Sequence, residues 1–261
     1  MASGFNDLSL NRSDQATVKL PKRFGASDAV GTVVELITNN RLGDPSIYLE
    51  MFNKRGSADV VTKKTAKNFL KYIKKDLYDN SIFHRSVPGF VLQGGGFSAP
   101  LAPADKGGSV DPINAFKLIK NEPGNSNLRG TLAMAKQAGK PDSATSQWFV
   151  NLEDNLSLNT QNDGFTAFGK VLGEGMKTVD QLASTDVFNF GGVFGELPLW
   201  QLSKNSDGTS EISPDDFLIV ASTRQLKSRS QPFTLSVESS DDSLVEARVT
   251  KKQQIKLKTS D

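Results

Sequence analysis

The sequence predicts a mostly β fold: a closed antiparallel barrel capped by two helices, with a short β-rich tail behind it. Three observations carry this. Short segments rich in β-branched and aromatic residues recur along the chain, each bounded by Gly, Pro or Asn. Only two stretches show the spacing of an amphipathic helix. No internal repeat is present, and many short strands remove their edges most simply by closing on themselves.

Residues 1–30 are polar apart from Ala16–Leu20 and read as an N-terminal arm. Thr32–Thr38 and Ser46–Phe52 are β-branched or alternating, and the turn residues Asn39–Asp44 join them into a hairpin. Ala66, Phe69, Leu70 and Ile73 recur at i, i+3, i+4 and i+7, which puts them on one face of a helix. Thr62 is its expected N-cap. Lys67, Lys71, Lys74 and Lys75 fall on its wet side or near its C-terminus, where the helix dipole favours cations. Strands follow at Phe90–Gln93, Thr131–Ala135, Gln147–Leu152 and Thr166–Val171. A second helix is expected over Met176–Ala183, behind the glycines at 173 and 175. A loop-rich stretch, 184–216, leads to a closing strand at Phe217–Ala221. After Thr223 the composition shifts to Ser, Lys, Asp and Gln, with alternation in Phe233–Val237, Val245–Val249 and Ile255–Leu257. These read as strands of a small β unit, too short to bury a core alone. The expected division is an arm over 1–30, a barrel domain over 31–223 and a β-rich tail over 224–261.

Composition narrows the chemistry. A chain of 261 residues, 37% hydrophobic and 23% charged, can bury a substantial core. Sixteen Phe against three Tyr and two Trp favour aromatic packing with few buried polar handles. A formal net charge of +2 implies no strong field for nucleic acid, and pairs such as Lys63-Lys64 or Lys251-Lys252 read as solvated faces. The absence of cysteine excludes disulfides, thiol nucleophiles and iron–sulfur clusters. No apolar run approaches a membrane span, and the first residues lack the basic and apolar regions of a Sec-type signal. The expectation is a soluble protein without membrane contact, cytoplasmic by default.

His84 is the only histidine, which removes His-pair metal sites and leaves any Ser-His-Asp scheme dependent on this one residue. A single His followed by Arg85 reads as structural, hydrogen-bonded and neutral. The run Gly94-Gly95-Gly96 lacks the Gly-Lys-Ser/Thr ending of a P-loop and marks instead a bulge or a close backbone approach. Carboxylates scattered through the loops give no convincing pair for glycoside or metal chemistry. A reaction that needs no nucleophile, metal or cofactor fits what remains. Prolyl cis/trans isomerisation is such a reaction: its barrier of about 18–20 kcal/mol comes from amide resonance. A catalyst need only bind the twisted amide better than either planar form. That takes an apolar cup for the pyrrolidine ring, a rigid cationic donor toward the proline, and groups that hold the flanking backbone.

From about Thr32 to Ala221 the sequence resembles the cyclophilin family. The family's Phe-His-Arg…Pro-Gly-Phe…Gln-Gly-Gly motif stands at residues 83–95. Gly130–Ala135 and Ser143–Phe149 resemble its Gly-x-Leu-x-Met-Ala…Ser-Gln-Phe-Phe block. Phe168–Val171, Gly175-Met176 and Val179 resemble a third block, and Lys64–Ala66 with Asn68-Phe69 add a fourth match on the first helix. The resemblance implies an eight-stranded barrel and a peptidyl-prolyl isomerase of a bacterial-like subgroup. It also implies no cofactor, proline-containing polypeptides as partners, and a role in protein folding.

Carried over by position, Arg85 would be the catalytic guanidinium and Gln93 the side chain that orients it and contacts substrate. Phe90, Val91, Phe149, Leu158 and Phe165 would line the proline pocket, Ala135 would offer backbone contacts, and Gln147 would support the floor. His84 would keep a structural role. Ser157 falls where many eukaryotic members carry a Trp that grips cyclosporin, so weak cyclosporin binding is expected. Phe165 replaces the usual pocket His, and Lys136 stands where Asn is common, at a contact made largely through backbone. The stretches at Ile113–Phe116, Lys120–Glu122 and Glu196–Leu199 look like bacterial relatives, some of which stand in extracellular proteins beside cadherin-like or immunoglobulin-like modules. The tail after Thr223 resembles the start of such a module, which makes signal-less export the alternative to the cytoplasm. The competing function is a cyclophilin scaffold that serves as a binding or adhesion module. A degenerate scaffold would have lost its pocket set, and here Arg85, Phe90, Gln93 and Phe149 are all intact.

Overall fold

The computed structural model describes residues 15–19, 29–100, 109–204, 210–226, 245–249 and 254–259. The chain divides into two compact units, one over 29–228 and one made from both chain ends, 1–28 with 229–261.

The larger unit is built on eight strands: β1 (Val33–Thr38), β2 (Ser46–Met51), β3 (Ser81–Val87), β4 (Val91–Ser98), β5 (Thr131–Met134), β6 (Trp148–Asn151), β7 (Ala167–Val171) and β8 (Ile219–Gln225). They pair antiparallel in the order β3-β8-β1-β2-β7-β5-β6-β4, and β4 pairs back onto β3. The sheet is therefore a closed barrel, the arrangement that removes open strand edges. A two-residue strand, Asp111–Pro112, adds to β4 near its end. Strand β3 was not anticipated as a strand from the sequence, and it is the strand that closes the ring.

Two helices cover the barrel. In α1 (Lys63–Lys74) Ala66, Phe69, Tyr72 and Ile73 are buried, Leu70 is half-buried, and Lys67, Lys71, Lys74 and the following Lys75 are exposed. Thr62 stands at the N-cap position, but its hydroxyl makes no capping bond; it reaches the Phe52 carbonyl instead. The free N–H groups of the first turn are taken by Glu122, whose carboxylate accepts from Lys64 N at 3.3 Å and Thr65 N at 2.8 Å. A carboxylate there satisfies orphan donors and meets the positive end of the helix dipole. The second helix, α2 (Gly175–Ala183), buries Val179 and Leu182.

The core centres on Trp148. Phe69, Tyr78 and Phe83 meet its ring edge-on, with centroids at 6.0, 6.3 and 5.8 Å. Such T-shaped contacts suit the aromatic quadrupole. The two core tyrosines are not unpaired: Tyr78 Oη donates to the Ser146 carbonyl at 2.7 Å, and Tyr72 Oη accepts from Phe116 N at 2.8 Å. Gly95 makes room for this cluster. It holds φ +73°, and a Cβ there would lie 2.6 Å from the Trp148 ring and 2.8 Å from the Ser146 carbonyl.

In the smaller unit, Gln15–Lys19 pairs antiparallel with Gln254–Thr259, which in turn pairs with Val245–Val249. The stretch read as a lead-in arm thus shares one sheet with the tail. The strand expected at Phe233–Val237 lies outside the described residues. Among the described residues no helix is long and apolar enough to cross a membrane.

Candidate active site

Strand register assembles the site. Arg85 on β3 stands opposite Gln93 on β4, Gln93 opposite Phe149 on β6, and Phe149 opposite Ala133 on β5. Directly opposed residues share a face, so Arg85, Gln93, Phe149 and Ala133 form one row across four strands. Val91, two residues from Gln93, joins the same face. The alternate residues Leu92, Trp148, Val150, Leu132 and Met134 point into the main core.

Arg85 owes its place in this row to a bulge. Phe83 pairs with Gly94 while Arg85 pairs with Gln93, so β3 advances two residues where β4 advances one. The additional residue is His84. Strict alternation would put Phe83 and Arg85 on the same face; the bulge sends Phe83 into the core and re-aims Arg85 at the site. The glycines of β4 complete the device. A second register shift lies between Ser81 and Phe83, across Gly94–Gly96, and a Cβ on Gly96 would meet the His84 ring at 2.9 Å and the Gln147 amide at 3.0 Å.

These residues open into a cavity of about 370 Å³, lined by Arg85, Phe90, Val91, Gln93, Ala135, Gln147, Phe149, Leu158 and Phe165, together with Lys136, Gln137, Ser143 and Thr145. Every pocket residue anticipated from the sequence lies here, including Leu158 and Phe165. Val91, Ala133, Phe149 and Leu158 form a small core of their own, against which Phe90, Ala135 and Phe165 pack. Phe149 and Phe165 meet edge to face at 5.9 Å. The loop that carries Leu158 is held in register by Phe165 N donating to Leu158 O at 2.7 Å and by the Asn155 amide donating to Phe90 O at 2.8 Å. Its far end is gripped by Lys136, whose Nζ donates to the carbonyls of Asn162 and Gly164, both at 2.7 Å, and lies 4.9 Å from the Phe165 ring centroid. Burial lowers the Lys136 pKa, opposed by the charges of Asp163 and Asp142.

The polar side is ordered by hydrogen bonds. Gln93 Nε2 donates to Gln147 Oε1 at 2.8 Å and lies 3.3 Å from His84 Nε2. Gln93 therefore braces Gln147, and the hydrogen-bond partner of Arg85 is not Gln93, as expected from the sequence, but Glu196: Nε donates to Oε2 at 2.6 Å. Ala135 N donates to Gln147 O at 3.0 Å. His84 is 2% exposed, and burial pushes its pKa down to about 4, so it stays neutral. Its ring packs edge-on to Phe97 at 5.1 Å. Glu196, Gln137 and the loop grip of Lys136 had no readable role in the sequence; Ser143 and Thr145 lay inside a recognised block without one.

The comparisons with known proteins give the family. The family model described as cyclophilin type peptidyl-prolyl cis-trans isomerase/CLD matches residues 34–194. A peptidyl-prolyl cis-trans isomerase of Acinetobacter baylyi is 40% identical over 172 residues, covering 64% of this chain and 80% of the relative. Peptidyl-prolyl cis-trans isomerase B of Escherichia coli is 40% identical over 126 residues, 46% of this chain and 70% of that one. Isomerase A of Dickeya dadantii is 42% identical over 131 residues, 49% of this chain and 63% of its own. With more than half of its length matched by the family model, and residues of the first two motif blocks lining one cleft while Phe168 and Val179 of the third lie in the core, this chain belongs to the cyclophilin-type peptidyl-prolyl cis-trans isomerases.

Proposed function

We propose that the cleft isomerises X-Pro bonds in flexible or unfolded segments, with Arg85 as the catalytic group. One observation carries this: a single guanidinium stands in the same strand row as the apolar wall of the cavity, with no other cation but the carbonyl-bound Lys136 on the lining. The pyrrolidine ring enters between Phe90, Val91, Phe149, Leu158 and Phe165. Arg85 donates from its free Nη groups toward the prolyl nitrogen, whose lone pair becomes available as the amide twists out of resonance. That interaction strengthens only as the bond rotates, so it lowers the barrier rather than the ground state. Gln93, Gln147 and the Ala135 carbonyl hold the flanking chain while one side of the bond turns. No bond breaks and no proton needs to move.

The experiment is catalysed cis/trans exchange on a short X-Pro peptide, by protease coupling or NMR. Arg85→Ala is expected to lower kcat/KM by about 100-fold or more, with circular dichroism unchanged. Wild-type rates in this variant would remove Arg85 from the mechanism. The reading as a binding or adhesion scaffold with little catalytic role predicts only weak turnover in the wild-type chain. Cyclosporin is expected to inhibit weakly, because exposed Ser157 offers no ring to grip it. Ser157→Trp should tighten inhibition by about tenfold, the worth of one buried aromatic contact; an unchanged inhibition constant would sever the link to this position.

A further inference from the structure

We propose that Glu196 is a positioning residue for Arg85: it takes the Nε–H so that the guanidinium presents its two Nη groups to the cleft in one fixed orientation. This rests on the isomerase reading above and extends it.

The pair is arranged for orientation. Arg85 Nε donates to Glu196 Oε2 at 2.6 Å, and among the described residues no other hydrogen bond of the guanidinium is present. One edge of the planar fork is therefore held and the other four N–H bonds stay free for substrate. An arginine side chain has large rotamer freedom, and a donor that must meet a twisted amide loses rate if it has to be ordered at each turnover. A carboxylate on Nε supplies that order beforehand.

Glu196 is itself fixed to the strand that carries Arg85. Its carbonyl accepts from Ser86 N at 2.8 Å, and Ser86 is the next residue after Arg85 on β3. The following Leu197 and Leu199 are buried in a second small core with Ile82, Ala99 and Phe217. Leu197-Pro198 pairs with Val187-Phe188, and Phe194 packs on Phe97 at 4.9 Å. Backbone and core thus anchor both ends of the pair to one scaffold. The side chains are 33% and 44% exposed, so the bond adds little to folding stability. Its consequence falls on the reaction.

The test uses the full chain and an X-Pro peptide exchange assay on wild type, Glu196→Ala, Glu196→Gln, Arg85→Ala and the Arg85→Ala/Glu196→Ala pair. Glu196→Ala should lower kcat by about three- to tenfold, with KM moving by less than about twofold and the melting temperature unchanged. Glu196→Gln keeps an oxygen that accepts the Nε–H and should recover most of the loss. In the Arg85→Ala background, removing Glu196 should cost nothing further. The Arg85 Nε–H resonance should be sharp in wild type and Glu196→Gln and broadened by exchange in Glu196→Ala. Wild-type kcat in Glu196→Ala, a loss expressed only in KM, or an equal loss in both backgrounds would overturn the positioning role. Full activity in Arg85→Ala would overturn the isomerase mechanism instead, which keeps the two failures distinct.

Discussion

His84 adjoins Arg85 in the chain and yet is held buried and neutral. Its burial among Phe97, Gly96 and Gln147 holds its pKa near 4, below the ordinary histidine value of about 6.5. The sign follows directly. Above pH 6.5 both folded and unfolded histidine are neutral and no difference arises. As pH falls from about 6.5 toward 4 the unfolded chain takes up a proton that the folded site refuses, and stability is lost, by roughly 3 kcal/mol in full. Urea unfolding at pH 7 and pH 4.5 checks this: His84→Asn should flatten that part of the pH dependence, and an unchanged slope would mean the ring charges freely in the folded state. At this scale the sequence was legible where roles are local. The neutral, structural histidine and the cationic Arg85 both follow from a short motif, and the glycine run announces the close approach that Gly95 and Gly96 provide. The partner of Arg85 was not legible, because Glu196 lies 111 residues away and nothing local marks it.

Elements show the same division. The hairpin of β1 and β2 and the face of α1 were readable from alternation and from i, i+3, i+4 spacing. Strand β3 was not, because its first four residues are all buried: Ile82 faces the second core and Phe83 the first, and the bulge at His84 then breaks the period. A strand buried on both faces offers no alternation to detect. Helix α1 starts from its N-cap at Thr62, as its sequence predicts, but the Thr62 hydroxyl is not the capping oxygen. Glu122, 57 residues from Thr65, does that work. Glu122→Ala should therefore lower stability by about 1–2 kcal/mol, seen as a shifted denaturant midpoint with an unchanged m-value, whereas Thr62→Val should cost less. The reverse order would return the cap to Thr62.

On the scale of the whole molecule, closure of the barrel brings the site together. Arg85 and Gln93 are neighbours only because β4 pairs back onto β3, and Phe149 and Ala133 reach them through β6 and β5. A rigid closed sheet can hold a donor and an apolar cup at fixed separation, which is what a reaction driven by differential binding of a twisted amide requires. The chain ends form a separate sheet, whose pairing of residues 15–19 with 254–259 spans nearly the whole sequence and left no local trace. The central claim is that Arg85 acts on the transition state rather than on binding. NMR exchange spectroscopy on an X-Pro peptide titrated with wild type and with Arg85→Ala measures both at once. The account predicts that the variant binds the peptide within about threefold of wild type while catalysed cis/trans exchange falls by about two orders of magnitude or more. Exchange that falls only in proportion to lost binding would contradict it.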